Sequence, residues 1–329
     1  MEDKNYGLID LHLHLDGSLS IGSVRELAAM QGITLLESDG ELKRKLQVSP
    51  DCRDLNEYLE KFSFPCSLLQ RADAIAKSVE NLASELKAQG LLYAEIRFAP
   101  QLHTEQGLSQ REVVAAAVEG LERSGFQGNL ILCCMRGDRN EKENLETVTV
   151  AAEFLGKGVC AVDLAGAEAL FPTAGFEELF RYAKERKVPC TIHAGEADGP
   201  ESIKDALKFG ARRLGHGVRC MEDRELVARL AREGIPLELC PTSNINTSIF
   251  EDIRQYPLLQ LMDAGVKVTV NTDNMTVSGV TLRSEWEKLM EAFPLTREQV
   301  KRLLENAVDA AFATEETKKW LRGEIARRV

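Results

Sequence analysis

At 329 residues, 44% of them hydrophobic, the chain has material for a large buried core, and its formal net charge of −11 disfavours a polyphosphate partner such as nucleic acid. No apolar run approaches the ~18 residues that a membrane span requires, and the acidic, polar opening Met1-Glu2-Asp3-Lys4-Asn5 is unlike a signal peptide. With no C-x-x-C pair and no export signal, the eight cysteines are expected as reduced thiols in the cytoplasm.

In chain order, the first apolar run, residues 8–15, contains His12 and His14 and leads into Asp16-Gly17-Ser18. About 75 residues then separate it from the next run, far more than a usual strand-to-helix connection. In that insert Leu55, Tyr58, Leu59 and Phe62 fall at i, i+3, i+4 and i+7, one face of a helix. Such a face either packs on the rest of the fold or forms a lid over a site. Further runs follow at 91–98, 129–135, 159–164, 188–193, 213–218, 235–240 and 266–271, with amphipathic stretches such as 110–123, 176–187 and 223–233 between them. Continuous apolar character means that both faces of each run are covered, the mark of parallel strands flanked by helices.

Eight such units predict an α/β fold. The expected architecture is a (β/α)8 barrel in one domain over 1–329, with a helical insertion after the first strand and additional helices at the C-terminus. Cys133, Cys134, Cys160, Cys190, Cys220 and Cys240 fall in or just beyond these runs as small apolar filler. Cys52 and Cys66 lie in the insert and are expected nearer the surface. Lys318, Lys319, Arg322, Arg327 and Arg328 read as cations on a solvated terminal helix.

Four of the five histidines stand at the ends of predicted strands, and such ends form the active site of barrel enzymes. His12 and His14, spaced i, i+2, project to one face of their strand, the barrel interior. Two imidazoles there are hard to explain by packing, and a shared metal ion would satisfy them. His193-Ala194-Gly195-Glu196 closes the fifth strand and supplies a third imidazole and a carboxyl group. His216 sits between glycines at the end of the sixth, where a hydrogen-bonded core histidine is the competing reading. Asp273 closes the eighth, and a carboxylate buried there requires a cation or several donors. Three imidazoles and one carboxylate suit Zn²⁺, which acidifies a bound water to a pKa of about 7. A free Glu and a free His remain for proton transfer.

Together H-L-H-L-D-G-S, D-L-A-G (163–166), H-A-G-E, G-H-G, C-P-T-S-N (240–244) and N-T-D-N resemble, in order, the motifs of the adenosine deaminases of the amidohydrolase superfamily. The resemblance covers nearly the whole chain. It implies hydrolysis of adenosine, with 2′-deoxyadenosine, to inosine and ammonia in purine salvage; adenine or another 6-aminopurine is the alternative substrate. By this resemblance His12, His14, His193 and Asp273 bind one zinc ion per chain. Glu196 exchanges a proton with the purine nitrogen beside the reacting carbon, and His216 orients and helps deprotonate the attacking water. Asp16 accepts a hydrogen bond from the sugar 5′-hydroxyl, Gly166 approaches the purine through its backbone, and Asn274 and His14 complete the substrate contacts. The partner is a small purine nucleoside, with no nucleic acid, membrane or obligatory protein partner.

Two positions depart from the family. Asn274-Met275 replaces the common Asp-Pro; an Asn amide donates to a purine nitrogen without needing a bound proton, as an Asp would. Ala167-Glu168 follows Gly166 where an acidic residue commonly comes first, which bears on the loop there. No Lys closes the fourth strand to bridge two metals, so one metal is expected. Pro65-Cys66 and Pro189-Cys190 lack the second Cys of the cytidine-type deaminases.

Overall fold

The computed structural model describes residues 7–328; the acidic opening, Met1 to Asn5, lies outside them. Strand β1 (Ile9–His14) is followed by five helices of the insert: α1 (Ile21–Met30), α2 (Asp39–Leu46), α3 (Leu55–Leu59), α4 (Ser63–Ser67) and α5 (Ala72–Ala88). Strand and helix then alternate through β2 (Tyr93–Phe98), α6 (Gln110–Ser124), β3 (Gly128–Met135), α7 (Glu141–Phe154), β4 (Val159–Ala165), α8 (Glu177–Glu185), β5 (Thr191–Ala194), α9 (Pro200–Lys208), β6 (Arg213–His216) and α10 (Arg224–Glu233). The remainder is β7 (Leu237–Leu239), α11 (Pro241–Asn246), α12 (Leu258–Asp263), β8 (Val268–Val270), α13 (Met275–Ser278), α14 (Leu282–Ala292), α15 (Arg297–Ala310) and α16 (Glu315–Ala326).

All strand pairings are parallel, in two ladders, β1-β2-β3-β4 and β5-β6-β7-β8. Single bridges Val162↔Cys190 and Leu13↔Asp273 join them. The second seam is a pair of backbone hydrogen bonds, His14 N to Asp273 O (2.7 Å) and Asp273 N to His12 O (2.8 Å). A sheet joined at both edges is a closed (β/α)8 barrel, as expected. Leu11 and Leu13 face outward into the apolar layer beneath the helices, and this layer forms the main core.

The strands of the second ladder are shorter than the apolar runs, for local reasons. Pro189 has no N–H to give a ladder, and β5 starts after it. Gly217 turns the chain at φ 68° straight after His216, ending β6. Helix α10 begins one residue later than its amphipathic stretch because Asp223 is its N-cap, accepting from Glu225 N (2.9 Å) and Leu226 N (3.1 Å).

The insert face both packs and covers. Tyr58 is buried against Val48, Cys52 and Val277, and its hydroxyl lies 2.7 Å from Ser278 Oγ. Leu55, Tyr58, Leu59 and Phe62, the last in a 3-10 turn after α3, also line the cavity at the barrel mouth. Cys52, expected near the surface, is buried by this packing, whereas Cys66 is half-buried; all eight cysteines are free thiols. The C-terminal cations pair on the outside of α16, Arg322 with Asp309 at 2.8 Å and Arg328 with Glu324 at 3.0 Å. Among the described residues no helix is long and apolar enough to cross a membrane.

Candidate active site

Strand ends bring the predicted residues to one point. His14 Nε2 lies 3.3 Å from His193 Nε2 and 3.3 Å from Asp273 Oδ1, and His12 Nε2 is 3.3 Å from the same oxygen. Potential ligand atoms of His12, His193, His216 and Asp273 all fall within 4.8 Å of one another. His216 and Asp273 hold left-handed backbone conformations, φ 58° and 61°, which are unfavourable for non-glycine residues. Among the described residues His12 Nε2 is buried with no hydrogen-bond partner. A nitrogen-rich set with one carboxylate and an orphaned ring nitrogen is suited to hold a divalent metal ion.

By mutual distance the group takes in His216 and not His14, although His14 Nε2 lies 3.3 Å from His193 and from Asp273; the hydrogen bonds of His216 set it apart. The Asn244 side-chain oxygen accepts from the Tyr256 hydroxyl (3.0 Å), so its nitrogen is the donor 3.0 Å from His216 Nδ1. Burial pushes the His216 pKa well below the usual histidine range, leaving it neutral. With Nδ1 accepting, its single proton sits on Nε2, and a protonated nitrogen cannot ligate.

The other rings are held from behind. His12 Nδ1 lies 2.8 Å from Glu238 Oε2, and His193 Nδ1 lies 2.8 Å from Asp163 Oδ2. A carboxylate on Nδ1 fixes the tautomer that turns Nε2 toward a metal. Arg97 ties these carboxylates together, giving one N–H to Asp163 (3.0 Å) and another to Glu238 (2.8 Å), and Arg213 Nε adds a bond to Glu238 at 2.6 Å. Burial opposes ionisation of Asp163, but His193 and Arg97 outweigh it and hold the group well below the carboxylate range. Sequence reasoning missed Glu238, Arg97, Arg213 and Asn244. The available signal was a charged residue inside a strand covered on both faces, as Glu238 is in Leu237-Glu238-Leu239.

Glu196 is buried beside this cluster, its Oε2 3.5 Å from His216 Nε2. Burial, then the negative charges of Asp273 and Glu168, push its pKa well above the usual glutamate value, so it carries a proton to give. Glu196, Asp16, Gly166 and Asn274 line, with His14 and the insert face, a cavity of about 230 Å³. Burial raises Asp16 to about 6, and its Oδ2 faces Cys66 Sγ at 3.6 Å. Gly166 has φ 110°, a conformation closed to most side chains, which leaves its backbone bare to the cavity. Among the described residues Asn274 Oδ1 is buried with no hydrogen-bond partner. The fifth histidine, His103, lies in a 3-10 turn after β2, outside this cavity, and burial lowers it to about 4.

The sequence profile of the adenosine deaminase family matches residues 8–328. An adenosine deaminase from Haemophilus ducreyi is 48% identical over 332 residues, covering 98% of this chain and 96% of that protein. Among solved structures, the adenine deaminase from Arthrobacter aurescens is similar with a TM-score of 0.87 at 28% identity, covering 98% of both chains. The Arabidopsis protein ADAL, solved in complex with IMP, is similar with a TM-score of 0.86 at 26% identity, covering 98% of this chain and 97% of that one. On its profile, its relatives and its barrel, the chain belongs to the adenosine deaminase family.

Proposed function

We propose that the whole chain acts as one cytoplasmic barrel domain that hydrolyses adenosine and 2′-deoxyadenosine to inosine and ammonia in purine salvage, with one zinc ion held by His12, His14, His193 and Asp273. The observation that carries this reading is the convergence of those four side chains on one point beside a carboxyl group, Glu196, that burial keeps protonated. When bound, zinc supplies a water acidic enough to ionise near neutral pH.

The chain's own groups do the rest. Glu196 gives its proton to the purine nitrogen next to the amino-bearing carbon, which makes that carbon electrophilic. The water oxygen bonds to this carbon and the carbon–nitrogen bond breaks; one of the water's protons passes to the amino group, which leaves as ammonia, and the other returns to the Glu196 carboxylate, while the proton Glu196 gave stays on the ring nitrogen of inosine. His216, with its proton on Nε2, points a donor toward Glu196 and the water's position; its hydrogen bonds support orientation of the water more than removal of its proton. Asp16 accepts from the 5′-hydroxyl. Gly166 presents its backbone to the purine, and Asn274 gives an amide N–H to the imidazole-ring nitrogen. The roof formed by Leu55, Tyr58, Leu59 and Phe62 excludes bulk water.

Free adenine is the alternative substrate, as the name of the Arthrobacter aurescens protein indicates for that relative. Asp16 favours a nucleoside, because a 5′-hydroxyl adds a strong donor to a buried carboxyl served by the Gly17 N–H (3.2 Å) and the weak Cys66 thiol (3.6 Å), whereas a 5′-phosphate would meet like charge. A turnover panel of adenosine, 2′-deoxyadenosine, adenine and AMP with zinc-loaded protein tests the reading. The two nucleosides should be turned over far faster than adenine or AMP; a preference for adenine or AMP would overturn the assignment.

A further inference from the structure

Residues 195–199 connect β5 to α9, carry Glu196, and have no strand or helix to accept their first four backbone N–H groups. All four go to one side chain. Glu168 Oε1 accepts from Gly195 N (2.7 Å), and Oε2 accepts from Glu196 N (3.0 Å), Ala197 N (2.7 Å) and Asp198 N (3.0 Å). Ser202 Oγ, in the first turn of α9, adds a fifth bond to Oε1 at 2.5 Å. Glu168 is 1% exposed. The two oxygens of this buried carboxyl thus serve four backbone N–H groups and one hydroxyl.

The clamp is tied to the strand that precedes the segment. Ser202 Oγ lies 2.7 Å from Thr173 Oγ1, and Arg136 gives one N–H to Thr173 Oγ1 (2.9 Å) and one to His193 O (2.6 Å). The segment is thereby fixed against the end of β5 and the start of α9 at once. Side chains on catalytic loops work only when their supports hold them to a fraction of an ångström.

We propose that Glu168 is a positioning residue, which sets the Glu196 carboxyl at the purine ring by binding the backbone on both sides of it. The inference rests on the reading of Glu196 as the proton donor. A Gln at 168 keeps the size but offers a single acceptor oxygen, and turns N–H groups toward N–H groups.

The test compares Glu168→Gln, Glu196→Gln and the double variant for kcat and KM with adenosine, for metal content, and for hydrogen exchange at the amides of 195–198. Glu168→Gln is expected to lower kcat about 100-fold with little change in KM, as a displacement of roughly 1 Å does. Metal content should be unchanged and the four amides should exchange faster. Added to Glu196→Gln, it should cost no further activity, because the group it positions is already gone. Losses that multiply in the double variant, an unchanged kcat, or amides that stay protected would overturn the proposal. If Glu168→Gln does not fold, Ser202→Ala removes one of the five donors and must show the same pattern at smaller size. Near-normal turnover by Glu196→Gln alone would remove that residue's role, whereas the exchange rates report separately on whether Glu168 holds the segment.

Discussion

Replacing Gly17 with Ala pits the purine contact proposed for Asn274 against a fixed backbone. A Cβ on Gly17 would stand 1.8 Å from Asn274 Oδ1, 2.6 Å from its Cγ and 2.9 Å from its Cβ. Gly17 cannot retreat, because its carbonyl accepts from Thr276 N (3.0 Å) and Val277 N (3.1 Å). Asp273 is pinned by its two hydrogen bonds to β1, so the metal-competent group stays in place. The Asn274 amide must therefore move by roughly 1.5–2 Å to reach an ordinary contact of about 3.5 Å. A shift of that size in a positioning contact costs about 100-fold in kcat/KM, or about 2.7 kcal/mol. Steady-state kinetics with adenosine, paired with elemental analysis for metal, measure it. A Gly17→Ala protein with full metal and kcat/KM within about twofold of the parent would show that Asn274 does not hold the purine, and loss of metal would show that the strain is released through the backbone instead.

Glu238→Gln should weaken metal binding by about 10- to 100-fold, because it removes the carboxylate that fixes the His12 tautomer. It should also destabilise the fold by about 3–5 kcal/mol, since Arg97 and Arg213 lose a buried counter-charge; chelator titration and urea unfolding read the two effects separately. Asp16→Ala should reduce kcat/KM for adenosine by about 10- to 100-fold, the worth of a hydrogen bond to a charged acceptor, and leave adenine turnover, however slow, almost unaltered. The same group predicts a pH dependence. Burial raises Asp16 to about 6, so the ionised acceptor accumulates as pH rises through that value. KM for adenosine should fall across that interval and KM for adenine should not. For stability the sign is reversed: the raised pKa disfavours the charged folded form, so this group's contribution is present below the unfolded value of 3.8 and is lost as pH climbs to about 6.

Much of the barrel is legible in the sequence because its strands are covered on both faces and so read as mainly apolar runs. Strand ends are less legible, since Pro189 and Gly217 act through backbone hydrogen bonding and φ rather than hydropathy. The inner ring of the site is readable for a related reason. His12 and His14 share a strand face by their spacing, and His193, His216 and Asp273 each close an apolar run. What lies behind that ring is not readable, because Glu238, Asp163 and Arg97 meet only when β7, β4 and β2 are wrapped into one cylinder. Glu168 shows the limit most clearly. In sequence it is a departure in a loop, and only the fold shows that four backbone amides from the next unit converge on it.

Anomalous diffraction at the zinc edge from crystals of the metal-loaded protein tests the central geometry most directly. One zinc ion per chain should sit about 2.0–2.2 Å from nitrogens of His12, His14 and His193 and from an oxygen of Asp273, with His216 left outside its coordination. A zinc ion ligated by His216 in place of His14, a second ion in the same site, or no ion there would contradict it.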